Sequence, residues 1–143
     1  MERIWVATDG SEAGARAVAF AARLAAGLRG KLTVLTVFNP LLDSDLRKFA
    51  NLEHATLGDM IDVEAQEIFQ EAAAIAAKEG VTIDKRESLV GDPAESILEA
   101  IAREKPDVVV VGKRGRGRLS GLLLGSVSQK LASLSLVPVI VVP

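Results

Sequence analysis

The alternation of short apolar runs with segments of helical periodicity constrains the fold more than any other feature. Four runs are apolar almost throughout and too short for helices, which is typical of strands buried on both faces: residues 4–7, 32–38, 108–111 and 137–142. A fifth run, residues 81–87, alternates apolar and polar residues in part, so we expect it at a sheet edge. The order βαβαβαβαβ predicts an open parallel sheet with helices on both faces and right-handed crossovers.

Capping residues and helix-ending residues delimit the helices between these strands. A cap followed by proline at the first helical position opens the third helix at Asp92-Pro93. Ser126 and Gln129 have the spacing of a capping box, which places the cap of the fourth helix at Ser126. Residues 41–58 give no clear pattern and could form a loop with a helical turn. The predicted helices run from Ser11 to Gly30, from Asp59 to Gly80, from Asp92 to Pro106 and from Ser126 to about Leu134.

Length and composition narrow the class of protein. The 143 residues suit one domain, 1–143, and the absence of cysteine excludes disulfides and thiolate metal sites. The sequence has neither a signal peptide before the first strand nor a run of about 20 apolar residues, so we expect a soluble, cytoplasmic protein without membrane contact. A net charge of −2 and 3% aromatic residues argue against nucleic-acid binding.

The last strand combines two features that conflict in a monomer. Residues 139–142 are all β-branched and apolar, which disfavours exposure, whereas Pro138 suits an edge strand. Pairing with the same strand of a second copy across a two-fold axis would accommodate both. We therefore predict a homodimer through residues 137–142; the alternative is a strand covered by its own helix.

The segment from Gly112 to Ser126 has the residues of an anion site at the end of the fourth strand. In open parallel sheets, ligands bind beyond the carboxyl ends of the strands, where the winding direction switches. Glycines there allow close backbone approach, and the start of a helix presents N–H groups to an anion. Lys113, Arg114, Arg116 and Arg118 add positive charge suited to a polyphosphate. If the first and fourth strands are neighbours, Asp9 faces the same crevice and suits a sugar hydroxyl, an adenine amino group or a cation.

Two common phosphate-binding motifs do not fit this segment. A P-loop needs Lys-Ser/Thr after its second glycine, where this chain has Arg118-Leu119. A dinucleotide-binding fingerprint needs a third glycine where this chain has Ser120, and none follows the first strand. The anion site therefore belongs to neither class.

The spacing Gly112-x2-Gly115-x9-Gly125-Ser126 resembles, without a gap, the nucleotide motif of the ATP-binding universal stress proteins. The resemblance extends over nearly the whole chain. It includes the turn at residues 7–11, the strand end at residues 35–37, Gly91-Asp92-Pro93 and the strand at residues 137–142.

This resemblance implies a Rossmann-like fold of the adenine nucleotide alpha hydrolase-like type, with strand order 3-2-1-4-5. It implies adenine near Asp9 and the backbone of Val37, ribose near Gly112, and phosphates on Gly115, Gly125, Ser126 and the residues that follow, with Mg²⁺ or Mn²⁺. The full set of expected nucleotide-binding residues is Ala7, Thr8, Asp9, Val37, Val111, Gly112, Arg114, Gly115, Gly125, Ser126, Val127 and Ser128. The arginine-rich loop departs from the family pattern, so ATP, AMP and a cyclic adenine nucleotide all remain candidates.

We expect the nucleotide to act as a bound signal in a regulatory or stress-response role. The alternatives are a slow ATPase or phosphoryl-transfer enzyme and a nucleic-acid binder. Chemistry on the γ-phosphate needs a positioned base or a residue that orients water, and Asp9 is the only candidate. Hydrolysis should therefore be slow or absent.

Overall fold

The computed structural model describes residues 1–40, 56–114 and 124–143. Strands and helices alternate along the described chain, and none of the described helices is both long and apolar enough to cross a membrane. In chain order the elements are β1 (Arg3–Ala7), α1 (Glu12–Leu28), β2 (Lys31–Phe38), α2 (Leu57–Lys78), β3 (Ile83–Val90), α3 (Pro93–Glu104), β4 (Val108–Gly112), α4 (Ser126–Leu134) and β5 (Val139–Val142).

The described strands form one parallel sheet in the order β3-β2-β1-β4-β5, which confirms the predicted fold class. Ala7 pairs with Leu35 of β2 on one side and with Val111 of β4 on the other. The carboxyl ends of these three central strands therefore lie side by side. The chain winds outward from β1 in both directions, so the switch point lies between β1 and β4.

Apolar side chains cover both faces of the sheet. On one face, Ile4 and Val6 of β1 pack with buried residues of α1 and α2. On the other face, Trp5 packs with Ile97 and Ile101 of α3 and with Leu131 of α4. Alternate residues of β1 thus enter opposite cores, as expected for a strand with a two-residue period.

The partly polar strand lies at an edge, as predicted, but its bounds differ. It spans Ile83–Val90 rather than residues 81–87, because it stays in register with β2 as far as Phe38 opposite Val90. A register shift lies opposite Leu32, where Asp84 Oδ2 accepts the Leu32 N–H at 2.8 Å.

Several other element ends differ from the sequence predictions. Helix α1 ends at Leu28, before the expected Gly30, because Arg29 takes the left-handed conformation with φ of 55°. Helix α2 begins at Leu57, two residues earlier than expected, after the cap Thr56. Strand β5 begins at Val139, because the Val137 N–H is engaged by the Ser135 hydroxyl in a turn. Of the uncertain segment 41–58, residues 41–55 lie outside the described residues.

Candidate functional site

A cavity of about 320 Å³ opens at the carboxyl ends of β1, β2 and β4, on the face covered by α3 and α4. Among the described residues, those predicted from sequence all line it: Ala7, Thr8, Asp9, Val37, Val111, Gly112, Arg114, Gly125, Ser126, Val127 and Ser128. Gly115, the remaining predicted residue, lies outside the described residues, as do Arg116 and Arg118. The cavity also includes residues that the sequence analysis missed: Gly14, Pro93, Ile97, Leu124 and Gln129.

The turn after β1 is held by hydrogen bonds of its own side chains. Asp9 Oδ1 accepts the Ser11 N–H at 2.9 Å, and Thr8 Oγ1 accepts the Gly10 N–H at 3.2 Å. Ser11 caps α1 by accepting the Gly14 N–H at 3.1 Å, as predicted. These bonds fix the position of the Asp9 carboxylate at the rim of the cavity.

Two glycines let the backbone segments around the cavity approach closely. A Cβ on Gly14 would overlap Thr8 Oγ1 and lie 3.2 Å from Asp9 Oδ1. A Cβ on Gly112 would lie 3.0 Å from the backbone carbonyl carbon and oxygen of Ala13. A larger residue at position 112 would push α1 away from the end of β4, and one at position 14 would displace the Thr8 side chain, so both glycines shape the crevice.

The start of α4 differs from the sequence prediction in a way that bears on the cavity. Ser126 was expected to cap the helix, but it is the first helical residue and Gly125 is the N-cap, with no side-chain hydrogen bond. The first N–H groups of a helix have no acceptor within it, so those of Ser126, Val127 and Ser128 are not used by α4 itself. The starts of α1, α2 and α3 are each capped by a side chain, from Ser11, Thr56 and Asp92 respectively.

The two ends of the segment between β4 and α4 meet at Lys113. The Lys113 carbonyl accepts the Gly125 N–H and the Ser128 hydroxyl, both at 2.8 Å. The Lys113 N–H donates to Val142 O of β5 at 2.6 Å. The start of α4 is thereby attached to the end of β4 and indirectly to β5.

The cavity has an apolar part and a part rich in donors. Ala7, Val37, Ile97, Val111 and Val127 form the apolar part and belong to, or pack against, the core under α3 and α4. Gly112, Arg114 and the start of α4 form the other part. Asp9 and Arg114 are the charged residues that line the cavity within the described chain. A ligand with a flat apolar body and an anionic tail would match both parts.

Residues Pro93 and Ile97 were absent from the sequence prediction although a signal for them existed. The strong cap at Asp92 places the start of α3 at the end of β3, at the same edge of the sheet as the other strand ends. A right-handed crossover from β3 to β4 then carries α3 across the face that holds the cavity. Gly14 and Gln129 carried no comparable signal, because their contribution depends on contacts distant in sequence.

Comparisons with known proteins agree on one family. The sequence model of the Universal stress protein family matches residues 1–143. A universal stress protein of Thermus aquaticus, encoded in the 3′ region of a QAH/OAS sulfhydrylase gene, is 35% identical over 139 residues, which is 97% of this chain and 96% of that protein.

Solved structures of similar proteins include nucleotide complexes. A universal stress protein in complex with cAMP is 30% identical, with a TM-score of 0.71 over 99% of this chain and 96% of that one. The universal stress protein from Archaeoglobus fulgidus in complex with dAMP is 22% identical, with a TM-score of 0.69 over 100% of this chain and 98% of that one. At 22% identity, the similarity to the dAMP complex shows a shared fold alone.

Proposed function

The chain belongs to the universal stress protein family, and from that premise we propose that it binds an adenine nucleotide in the cavity beyond β1 and β4. The observation that carries the proposal is the helix start without a side-chain cap at Gly125, which lines the same cavity as Asp9 and Val37. The cAMP complex of a universal stress protein that is 30% identical to this chain supports the same class of ligand. The expected role is regulatory or in the stress response, with the nucleotide as a bound signal in the cytoplasm.

The adenine ring is assigned to the apolar part of the cavity. Val37, Pro93 and Ile97 offer aliphatic contacts there, and no aromatic residue is among the described lining residues. Burial of the ring then relies on apolar area, at about 25 cal/mol per Å². The Asp9 carboxylate would accept a hydrogen bond from the adenine amino group or from a ribose hydroxyl, next to Ala7 and Thr8.

The phosphates are assigned to the start of α4. The N–H groups of Ser126, Val127 and Ser128 carry the positive end of the helix dipole, which stabilises a bound anion. Arg114 adds a formal positive charge from the end of β4, and the ribose is assigned near Gly112. Gly115 enters the proposal through the spacing motif, which resembles that of the ATP-binding subgroup, and Arg116 and Arg118 enter it through their positive charge.

A divalent cation would be bound mainly by the phosphates. The described residues contain no group of three or more His, Asp or Glu side chains suited to a metal. Asp9 is the one carboxylate among the described lining residues. Mg²⁺ commonly uses one or two carboxylates together with substrate phosphates and water, so this donor set fits Mg²⁺ or Mn²⁺ arriving with ATP. The ion would neutralise part of the charge of the triphosphate.

We further propose that the protein is a homodimer through residues 137–142. Strand β5 lies at the edge of the sheet, and its four residues are only half-buried although each is apolar. Leu134 and Leu136, next to this edge, are 62% and 74% exposed. A second copy would bury these side chains and satisfy the free edge of the strand.

Two measurements on purified protein test the nucleotide proposal. Mass spectrometry of denatured protein identifies any nucleotide that co-purifies, and we expect an adenine nucleotide. Calorimetry with ATP, AMP, cAMP and GTP then ranks the ligands, and we expect the adenine compounds to bind more tightly than GTP. Equal binding of GTP and ATP would reject the assignment of the base to the Asp9 side of the cavity.

A further inference from the structure

Ser128 is buried at the start of α4, where its side chain contacts backbone atoms. It is 2% exposed, and its hydroxyl lies 2.8 Å from Lys113 O and 3.1 Å from Gly125 O. Both contacts are carbonyl acceptors, and a serine hydroxyl has one hydrogen to donate. The hydroxyl therefore has no second hydrogen to offer a phosphate.

We infer that Ser128 is a positioning residue for the nucleotide: its hydroxyl holds the end of β4 against the start of α4 and thereby aligns the phosphate-binding N–H groups. The inference rests on the proposed function. It gives the two polar groups of Ser128 different roles: the backbone N–H is one of the N–H groups at the helix start, and the hydroxyl acts through Lys113.

The position of this hydroxyl allows it to affect the geometry of the phosphate-binding part of the site. Lys113 O also accepts the Gly125 N–H at 2.8 Å, so Gly125 and Ser128, three residues apart in the first turn of α4, bind the same carbonyl. A Cβ on Gly125 would lie 3.3 Å from Lys113 O and 3.4 Å from Arg114 Cα, so the two segments are already in close contact. Loss of the hydroxyl removes one of the two bonds that set the distance between Arg114 and the helix start.

A matched pair of substitutions isolates the hydroxyl. Ser128→Thr keeps it and adds a methyl group, whereas Ser128→Val has the same shape without the hydroxyl. Threonine in a helix can place its hydroxyl on a carbonyl three or four residues earlier, which is the relation of Ser128 to Gly125. Ser128→Ala removes the hydroxyl without adding volume.

Ser135→Ala serves as a control for general loss of stability. Its hydroxyl donates to Val137 O at 2.8 Å and accepts the Val137 N–H at 3.1 Å, at the far end of α4. The substitution therefore also removes side-chain-to-backbone bonds, in the turn that follows the same helix. Ser135 does not line the cavity, so its loss should leave nucleotide affinity unchanged.

The test compares dissociation constants for ATP and adenosine. Ser128→Ala and Ser128→Val should weaken ATP binding about tenfold, the effect of one net hydrogen bond, and should change adenosine binding less than about twofold. Ser128→Thr should restore ATP affinity relative to Ser128→Val. Equal weakening of ATP and adenosine, or no difference between Thr and Val, would overturn the inference, because a merely structural role predicts those results.

Hydrogen exchange of the ligand-free protein separates this inference from the proposed function. The Gly125 amide should exchange faster in Ser128→Ala and Ser128→Val than in the wild type and Ser128→Thr. Unchanged exchange would reject the role of the hydroxyl even if ATP binds. If the wild type bound neither ATP nor adenosine, the proposed function would fail and the positioning of phosphate groups would fail with it, whatever the exchange rates.

Discussion

Gly14→Ala tests how the rim of the cavity is built. The new Cβ would overlap Thr8 Oγ1, which is buried and accepts the Gly10 N–H. Thr8 must move or rotate, and its bond to Gly10 is then lost. We expect lower stability and weaker nucleotide binding, because the same movement displaces the Asp9 turn.

The magnitude follows from opposing effects. Replacing glycine by alanine inside a helix stabilises it by about 1 kcal/mol. Overpacking at the Thr8 contact costs about 1–3 kcal/mol, and the lost hydrogen bond about 1 kcal/mol more. The net effect is a loss of about 1–3 kcal/mol in the free energy of unfolding.

Urea denaturation of four proteins measures this effect: the wild type, Gly14→Ala, Thr8→Ala and the double variant. Without Thr8 Oγ1, the nearest atoms to the new Cβ are Asp9 Oδ1 at 3.2 Å and Asp9 N at 3.4 Å, so Gly14→Ala should cost far less in the Thr8→Ala background. Gly27→Ala, in the same helix with nothing within 4 Å of its Cβ, is the matched control and should be neutral or stabilising. A Gly14→Ala variant as stable as Gly27→Ala would refute the steric argument.

Three further predictions concern charge, assembly and pH. Arg114→Gln should weaken the binding of ATP about tenfold and that of adenosine little. If calorimetry gave the variant and the wild type equal affinities for ATP, Arg114 would not contact a phosphate. Val141→Lys, which puts a charge on the edge strand, should give monomers in light scattering, and an undisturbed dimer would exclude that interface. The N–H groups of Arg3 and then Glu2, each bonded to Asp107 Oδ2 at 2.8 Å, lower the pKa of Asp107 below its ordinary value. The ionised Asp107 carboxylate therefore stabilises the fold above the unfolded-state pKa of about 3.9, and this stabilisation is lost as pH falls through the lower folded-state pKa. Asp107→Asn should reduce the loss of stability on acidification, measured in denaturation curves.

The fold could be predicted because its signals are local. Apolar runs of strand length and capping residues such as Asp92 are visible in the sequence, and the partly polar run marked the edge strand correctly. The start of α4 was predicted one residue late, since the Ser126-to-Gln129 spacing is also compatible with an N-cap at Gly125. Only the structure distinguishes these two arrangements: the Gln129 N–H donates to Gly125 O, which makes Gly125 the N-cap.

Residues of the candidate site at strand ends could be predicted from the sequence. Residues whose role depends on contacts distant in sequence could not. Adjacent strands β1 and β4 bring Asp9 and Gly112 to one crevice, as expected if they were neighbours. The need for glycine at position 14 depends on the rotamer of Thr8, which no sequence pattern reveals. The dual use of Ser128 depends on a bond to a residue 15 positions away.

The central claim is that the start of α4 holds the phosphates of an adenine nucleotide, and a titration of backbone amide NMR signals with ATP and adenosine tests it directly. With ATP, the account predicts large shifts for the amides of Ser126, Val127 and Ser128. Adenosine should shift the amide of Val37 and leave those of Ser126 and Ser128 nearly unchanged. Saturable ATP binding that left all three amides of α4 unmoved would contradict the account.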